Sequence, residues 1–472
     1  MLWHAAFDVV QWMFLAYFAG LNGTYLLLNF VALVSILRER PALVLASMPQ
    51  YTSGLEPPIS LLAPAYNEEA TIAASVRSML QLNYPAFEVI VVNDGSKDAT
   101  LQVLMQEFGL VKFPESYRIV LPVAEVRGIY RSPTYPNLRV IDKANGGKAD
   151  ALNAGINASR HPLFCAVDAD SILQVDSLRR IVRPFLEDAT VIVSGGTVRV
   201  ANGCQVSGGH LQSVGIPRSL LARVQIVEYL RAFLFGRLGW SPFNALLIIS
   251  GAFGVFRRSS VVEAGGYRVS TIGEDMELIV RLHLHCCNAG RAYRIVFLAD
   301  PVCWTEAPES LKILKNQRIR WQRGLLESLW ANRRLLFHRR GGAVGWLAFP
   351  AMLLFEALGP LVEITGFLLL IAGAVFGVIS WTVCLAFLTL AVGLGLMLSA
   401  CALLLEEMSL QIYPKMSHLL QLTGAMLVEN LGYRQLTLWW RIVGIYKWLA
   451  NRPSHWGEMT RTASWQVPKG KP

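Results

Sequence analysis

Apolar runs near both ends of the chain, long enough to cross a bilayer, constrain its architecture more than any other feature. The first extends from about Met13 to Leu37. A helix of that length spans a hydrocarbon core of ~30 Å. A secretory signal peptide needs a basic start and a short apolar core. No Lys or Arg precedes Met13 and the run is too long, so it reads as an uncleaved anchor. Arg38 and Arg40 follow it and predict that this end lies in the cytoplasm.

The chain turns apolar again from Trp346. Spans are expected near Leu358–Ile379 and Trp381–Leu405. Glu356 and Glu363 fall at the first of these. A carboxylate at that depth faces protein or a polar pathway, or else marks an interfacial break at Gly359-Pro360; the sequence leaves both open. Leu419–Leu449 is interrupted by Asn430, Arg434 and Arg441 and decorated by Trp439, Trp440 and Trp448, a mixture that suits interfacial helices. With an external N-terminus, three spans make Glu406 cytoplasmic. The basic tail (Arg452, Arg461, Lys469, Lys471) agrees if the intervening stretch lies flat or crosses twice.

Composition fits this division. Charged residues make up only 16% of the 472, and 53% are hydrophobic, whereas soluble domains carry about 25% charged residues. The net charge of +10 would suggest nucleic acid, but much of the basic charge, including Arg333, Arg334, Arg339 and Arg340, flanks apolar segments. That pattern anchors a chain against anionic lipid and argues against nucleic acid. The seven cysteines contain no C-x-x-C pair, so neither a disulfide framework nor a zinc site is indicated. None of the eight histidines has ligand spacing with Cys or carboxylates, and His283 reads as structural. The expected organisation is an anchor over residues 1–45, a cytoplasmic domain over 56–340, transmembrane and interfacial helices over 344–450, and a cytoplasmic tail over 451–472.

Within the domain, strand-like runs alternate with helical ones. Ile59–Ala63, Phe87–Val92, Leu138–Ile141 and Leu163–Val167 read as strands, and residues 71–82 and 148–158 as helices. This alternation defines an α/β domain with a mostly parallel sheet covered by helices, joined to an α-helical transmembrane region. Ligands bind beyond the C-terminal strand ends of such sheets. Tyr66-Asn-Glu-Glu69, Asp94 and Asp168-Ala-Asp170 fall there. The connection Gly109–Asn137, with β character around Tyr117–Val123, has no assigned function.

Asp168 and Asp170, two apart after an apolar strand, are expected to face one way and to address one ion. Magnesium is typically held by one or two carboxylates plus substrate phosphates. Asp94 either makes a turn or bonds a uracil or ribose. Lys148, after Gly146-Gly147, opens a helix and can neutralise a diphosphate, with the glycines allowing close backbone approach. Glu274 and Asp275 precede a helical run, Met276–His283. Such acids suit a helix start in any case, but Asp275 can also serve as a general base toward an acceptor hydroxyl. In Gln317-Arg-Ile-Arg-Trp321, Trp321 can stack beneath a sugar and Arg320 can meet a diphosphate; a snorkelling interfacial helix is the plainer alternative.

Together these pieces resemble the family-two inverting glycosyltransferases of GT-A fold, in particular the membrane-integrated processive branch of poly-N-acetylglucosamine, hyaluronan and cellulose synthases. The motifs are Pro64-Ala-Tyr-Asn-Glu68, Asp94-Gly-Ser96, Gly147-Lys-Ala149, Asp168-Ala-Asp170, Ser250-Gly-Ala252, Gly273-Glu-Asp275 and Gln317-Arg-Ile-Arg-Trp321. The resemblance implies that Tyr66, Glu68, Asp94, Lys148 and Asp168 bind the nucleotide-sugar. It implies that Asp168 and Asp170 serve a divalent metal (Mg2+ or Mn2+), and that Asp275 is the base. Glu274, Gln317, Arg320 and Trp321 would mark the acceptor and diphosphate site. The implied activity is transfer from a UDP-sugar to a growing polysaccharide at a bacterial inner membrane, coupled to export, with membrane lipids around it and room for a partner export or regulatory subunit. A lipid acceptor giving a glycolipid is the alternative, and a silent membrane scaffold ranks below both. The sequence departs from the family at Gly273, where the pattern has Thr. After Arg452 too little chain follows for the cyclic-dinucleotide-binding barrel of cellulose synthases. The resemblance therefore leans toward poly-N-acetylglucosamine synthases.

Overall fold

The structure is a computed structural model. It describes residues 2–46, 54–207, 210–377, 379–409, 411–413 and 415–452. Arg461, Lys469 and Lys471 of the expected tail lie outside the described residues.

The parallel centre of the sheet comprises β1 (Ile59–Ala65), β2 (Phe87–Asp94), β3 (Leu138–Lys143) and β4 (Leu163–Val167), in the spatial order β3-β2-β1-β4. Their continuous apolar runs are buried, as strands covered on both faces require. The sheet then becomes mixed. Beyond β4 come β6 (Phe253–Arg257), β5 (Val191–Val200) and β7 (Arg294–Thr305); β6 runs antiparallel to both neighbours, and β7 runs parallel to β5. Helix α2 (Lys148–Ala158) lies on the centre of the sheet. A Cβ at Gly155 would stand 3.1 Å from Leu62, so the glycine lets helix and strand close.

Two expectations are corrected. Tyr117–Val123 forms no strand. Asn157 of α2 holds it instead, accepting from Val120 N and Leu121 N and donating to Leu121 O, so the backbone polar groups are met by a side chain rather than a strand. Asp168 and Asp170 are not on a strand either. β4 stops at Val167, and the acids lie in a turn closed by Ser171 N donating to Asp168 O.

Helix α1 (Leu2–Ala46) contains an apolar segment, Trp12–Arg38, long enough to cross a membrane. α3 (Glu274–Ala289) and α4 (Leu311–Ala331) complete the domain. α5 (Gly359–Val375) meets the preceding segment Val344–Ala357 at a 46° bend, and the two make a further span if they act as one. The bend falls at Gly359-Pro360, where a proline suits a helix start. α6 (Trp381–Ser409) contains the other clear candidate, Phe387–Ser409. The stretch with mixed character forms α7 (Met416–Val428) and α8 (Arg434–Leu449), separated by a break at Leu431 and Gly432.

Small residues set the helix contacts. A Cβ at Gly366 would meet Phe14 at 3.0 Å, and one at Gly239 would meet the Leu28 carbonyl at 2.7 Å. Close approach at glycine is how helices pack in lipid. Glu406, near the end of α6, is fully buried and paired with Arg199 of β5. That end of α6 is thus fastened to the sheet.

Candidate active site

The acids and cations singled out from the sequence converge on one cavity of about 1420 Å³. Tyr66, Glu68, Asp94, Lys148, Asp168 and Asp170 reach it from the C-terminal ends of the parallel strands and the start of α2. Glu274 and Asp275 reach it from the start of α3, and Gln317, Arg320 and Trp321 from α4.

Asp94 is already occupied. Lys143 Nζ lies 2.5 Å and Gly146 N 3.0 Å from Oδ1; Gly147 N lies 2.7 Å and Asn145 Nδ2 3.2 Å from Oδ2. These bonds engage both carboxylate oxygens, so Asp94 shapes the Gly146-Gly147 loop while also bordering the cavity. Gly147, with φ of +89°, caps α2, where the left-handed region favours glycine. Lys143 also reaches Asp150 Oδ1 at 2.6 Å. Sequence reading missed Lys143, which carries no motif of its own.

Lys148 Nζ lies 2.5 Å from Asp168 Oδ1 and 3.6 Å from Glu274 Oε1. Burial opposes its charge, but Asp168 and then Glu274 hold the ammonium above the ordinary lysine range. Glu274 is itself buried, and loss of water pushes its carboxyl up to about 7, with Lys148 pulling down and Asp275 adding to the rise. Asp275 accepts from Gly251 N at 3.2 Å, and its other oxygen accepts from Met276 N at 2.8 Å. A Cβ at Gly251 would stand 2.9 Å from Lys148 Nζ and 3.5 Å from Asp275 Cβ. The Ser250-Gly-Ala motif thus lets two charged side chains converge, a role its sequence signal marked without explaining.

Asp170 is buried, Asp168 partly exposed, and both border the cavity. No group of three or more His, Cys, Asp or Glu suited to a metal occurs among the described residues. Two hard carboxylates facing a substrate cavity still match the protein share of a magnesium or manganese site completed by phosphate. Tyr66 and Glu68 follow β1, and Glu68 accepts from Thr71 Oγ1 at 2.7 Å.

On α4, Gln317 is buried and Trp321 is 45% exposed at the cavity. The Arg318 guanidinium lies 4.3 Å from the Trp321 ring centroid and pairs with Glu228 at 2.6 Å. Gln322 accepts from Arg441 Nε at 2.8 Å and donates to Ala357 O at 3.0 Å, tying α4 to α8 and to the bend before α5. Glu356, at that bend, bonds Tyr25 of α1 and pairs with Arg441 at 3.0 Å; Glu363 pairs with Arg434 at 3.4 Å. Both acids therefore face protein, and the helix also breaks beside them. The same cavity continues past these pairs to Phe18, Phe367 and Phe387. His283 is enclosed between Tyr293 Oη and Leu246 O, at 2.8 and 2.7 Å, and burial pushes it down to about 4; it stands apart from this cluster.

The sheet order, with acids at the parallel strand ends and membrane-type helices alongside, defines a GT-A fold built onto an α-helical membrane region. A mannosyltransferase of Pyrobaculum calidifontis, solved with GDP-Man and Mn2+, superposes over 94% of this chain and 100% of its own, with TM-score 0.57 and 18% identity, a likeness of fold. The chain belongs to the family-two glycosyltransferases: residues 163–398 match the model of glycosyl transferase family group 2, and residues 60–263 match glycosyl transferase family 2. Poly-beta-1,6-N-acetyl-D-glucosamine synthase of Staphylococcus epidermidis is 27% identical over 58% of this chain and 57% of its own length. The Staphylococcus aureus (strain COL) protein of the same name is 30% identical over 56% and 54%. The chain thus spans little more than half the length of these relatives.

Proposed function

We propose that this protein is an inverting membrane glycosyltransferase that transfers a sugar from a UDP-sugar to a growing polysaccharide and passes the product toward the membrane. The observation that carries the reading is the single cavity in which Asp168, Asp170, Lys148 and Asp275 meet and which continues between the membrane helices. The names of the staphylococcal relatives support N-acetylglucosamine as the sugar.

In this reading the donor's diphosphate lies between Lys148 and Arg320. Asp168 and Asp170 hold a divalent cation, which when bound neutralises charge on the leaving diphosphate. Tyr66 and Glu68 border the nucleotide, and Asp94 holds the glycine loop beneath it. Trp321 stacks under the acceptor sugar while Gln317 and Glu274 line its site. Asp275 accepts the proton of the attacking hydroxyl, the assistance that direct displacement needs. Gly251 N–H and Met276 N–H fix that carboxylate in place.

Topology follows from the same arrangement. The Arg38 and Arg333–Arg340 flanks support a cytoplasmic domain, and the Glu406–Arg199 pair puts the end of α6 beside it. A bacterial inner membrane gives the domain access to cytosolic nucleotide-sugars. The apolar walls near Phe18, Phe367 and Phe387 favour a second reading, a lipid-linked acceptor, because an acyl chain matches them.

The test is product analysis. Purified full-length protein in lipid nanodiscs is offered a panel of UDP-sugars, and the products are sized and identified by mass spectrometry. The expected result is a ladder of N-acetylglucosamine polymer with stoichiometric UDP release that stops on EDTA treatment and resumes with Mg2+ or Mn2+. A single sugar on a lipid would select the second reading. No UDP release from any donor would overturn both.

A further inference from the structure

Four cavity-lining arginines are neutralised locally: Arg231, Arg318, Arg434 and Arg441 pair with Glu429, Glu228, Glu363 and Glu356. Arg237 borders the same cavity and differs. Its Nε and Nη1 are buried without a hydrogen-bond partner among the described residues. Its guanidinium lies over the Phe233 ring, 3.8 Å from the centroid, a stacking that holds the plane of the fork. Native proteins seldom leave buried donors unmet, and such groups call for an explanation.

Its place in the fold narrows the explanation. Arg237 closes a π-helical turn, Arg231–Arg237, a distortion common at functional sites. The next turn, Leu238–Trp240, packs on α1, with Gly239 against the Leu28 carbonyl. Arg237 therefore enters from the side of the anchor helix, whereas Lys148, Asp168 and Asp170 enter from the sheet. Burial pulls its pKa down to about 10, with the charge of Asp275 pulling the other way. Asp275 thus acts on two cations, Lys148 on the donor side and Arg237 on the side of the anchor helix.

We propose that Arg237 is an acceptor-binding residue whose guanidinium donates hydrogen bonds to hydroxyl oxygens of the acceptor sugar beside Asp275. The guanidinium has five N–H donors and no acceptor capacity, and sugar hydroxyl oxygens supply acceptors that Nε and Nη1 lack among the described residues. A neutral acceptor also leaves Asp275 as the nearby anion, so the pair of charges brackets the hydroxyl to be deprotonated. This assignment rests on the transferase reading above.

The test compares wild type, R237Q and R237K in nanodiscs, with UDP-GlcNAc as donor and a short β-1,6-linked N-acetylglucosamine oligosaccharide as acceptor probe. For R237Q the acceptor KM should rise by about tenfold or more, the scale of a lost charged hydrogen bond. UDP affinity should stay within about twofold of wild type, because the donor side is untouched. R237K keeps the charge but not the fork, so its acceptor KM should fall between the two, and it covers the case in which R237Q fails to fold. Unchanged acceptor KM in both variants overturns the proposal, as does a loss confined to UDP affinity. If wild type itself transfers no sugar, the transferase reading fails instead, and the two failures are distinguishable.

Discussion

Gly273 and Gly324 meet backbone to backbone: a Cβ on Gly273 would stand 3.0 Å from Gly324 Cα, and one on Gly324 would stand 2.9 Å from Gly273 Cα. This contact seats the start of α3, with Glu274 and Asp275, directly on α4. It also explains the departure from the Thr-Glu-Asp pattern, since a side chain at 273 has no room. Before the helix, Thr271 Oγ1 accepts from Gly273 N at 3.3 Å, while no side chain caps the start of α3.

Gly324→Ala should force α3 and α4 apart. Overpacking of this kind costs about 1–3 kcal/mol, so the melting temperature should fall, and transfer should fall further than UDP affinity because Asp275 shifts relative to Trp321. Thermal melts and UDP titrations on the same preparation check this. Unchanged turnover would show that the two helices tolerate separation.

Asp275→Asn keeps shape and removes basicity. Turnover should drop by ~10²–10⁴-fold while UDP binding survives. If the acids only complement the helix start, Asp275→Asn and Glu274→Gln should each cost about 1 kcal/mol or less and leave transfer near wild type. Single-turnover rates and UDP affinity separate these outcomes.

Glu274 makes stability depend on pH in a definite direction. The unfolded residue ionises near its ordinary value of 4.5, whereas burial keeps the folded one protonated up to about 7. Its contribution is complete below about 4.5 and is lost as the pH rises through about 7. Between pH 5 and pH 8 wild type should therefore lose stability relative to Glu274→Gln. Parallel melting curves for the two proteins across that range would refute the assignment.

The Arg199–Glu406 pair is buried on both sides. Arg199→Met alone leaves the buried Glu406 carboxylate without its cation, with the Ile412 N–H as its remaining donor, and removing one partner of such a pair costs about 3–5 kcal/mol. Arg199→Met with Glu406→Leu should recover most of that loss. Yield and melting temperature in detergent give the cycle, and a double variant no better than the single would remove this pair as the fastening of α6.

The parallel strands and α2 were legible because the buried apolar runs and the Gly-Gly-Lys start are local signals. The placement of Asp94, Asp168 and Asp275 at strand and helix ends was legible for the same reason. Their partners were not. Lys143 lies far along the chain from Asp94, and only the pairing of β2 with β3 brings it near. Arg199 and Glu406 are separated by about half of the domain, by the bent pair that ends in α5 and by most of α6. Tyr117–Val123 misled because its β-prone residues are satisfied by Asn157, whose contribution no local pattern reveals. Arg237 carries no motif, and what marks it is that its buried Nε and Nη1 have no hydrogen-bond partner among the described residues.

Because the end lined by Lys148 and Asp168 and the aromatic end near Phe18 and Phe387 belong to one cavity, a blocker of the proposed reaction need not resemble its donor. Under the proposed function, an amphiphile seated among those rings would obstruct the product while leaving the end at Lys148 and Asp168 open, and raising the donor concentration would not displace it. Detergent monomers have that shape, so micelle chemistry becomes a pharmacological variable in any assay of this enzyme.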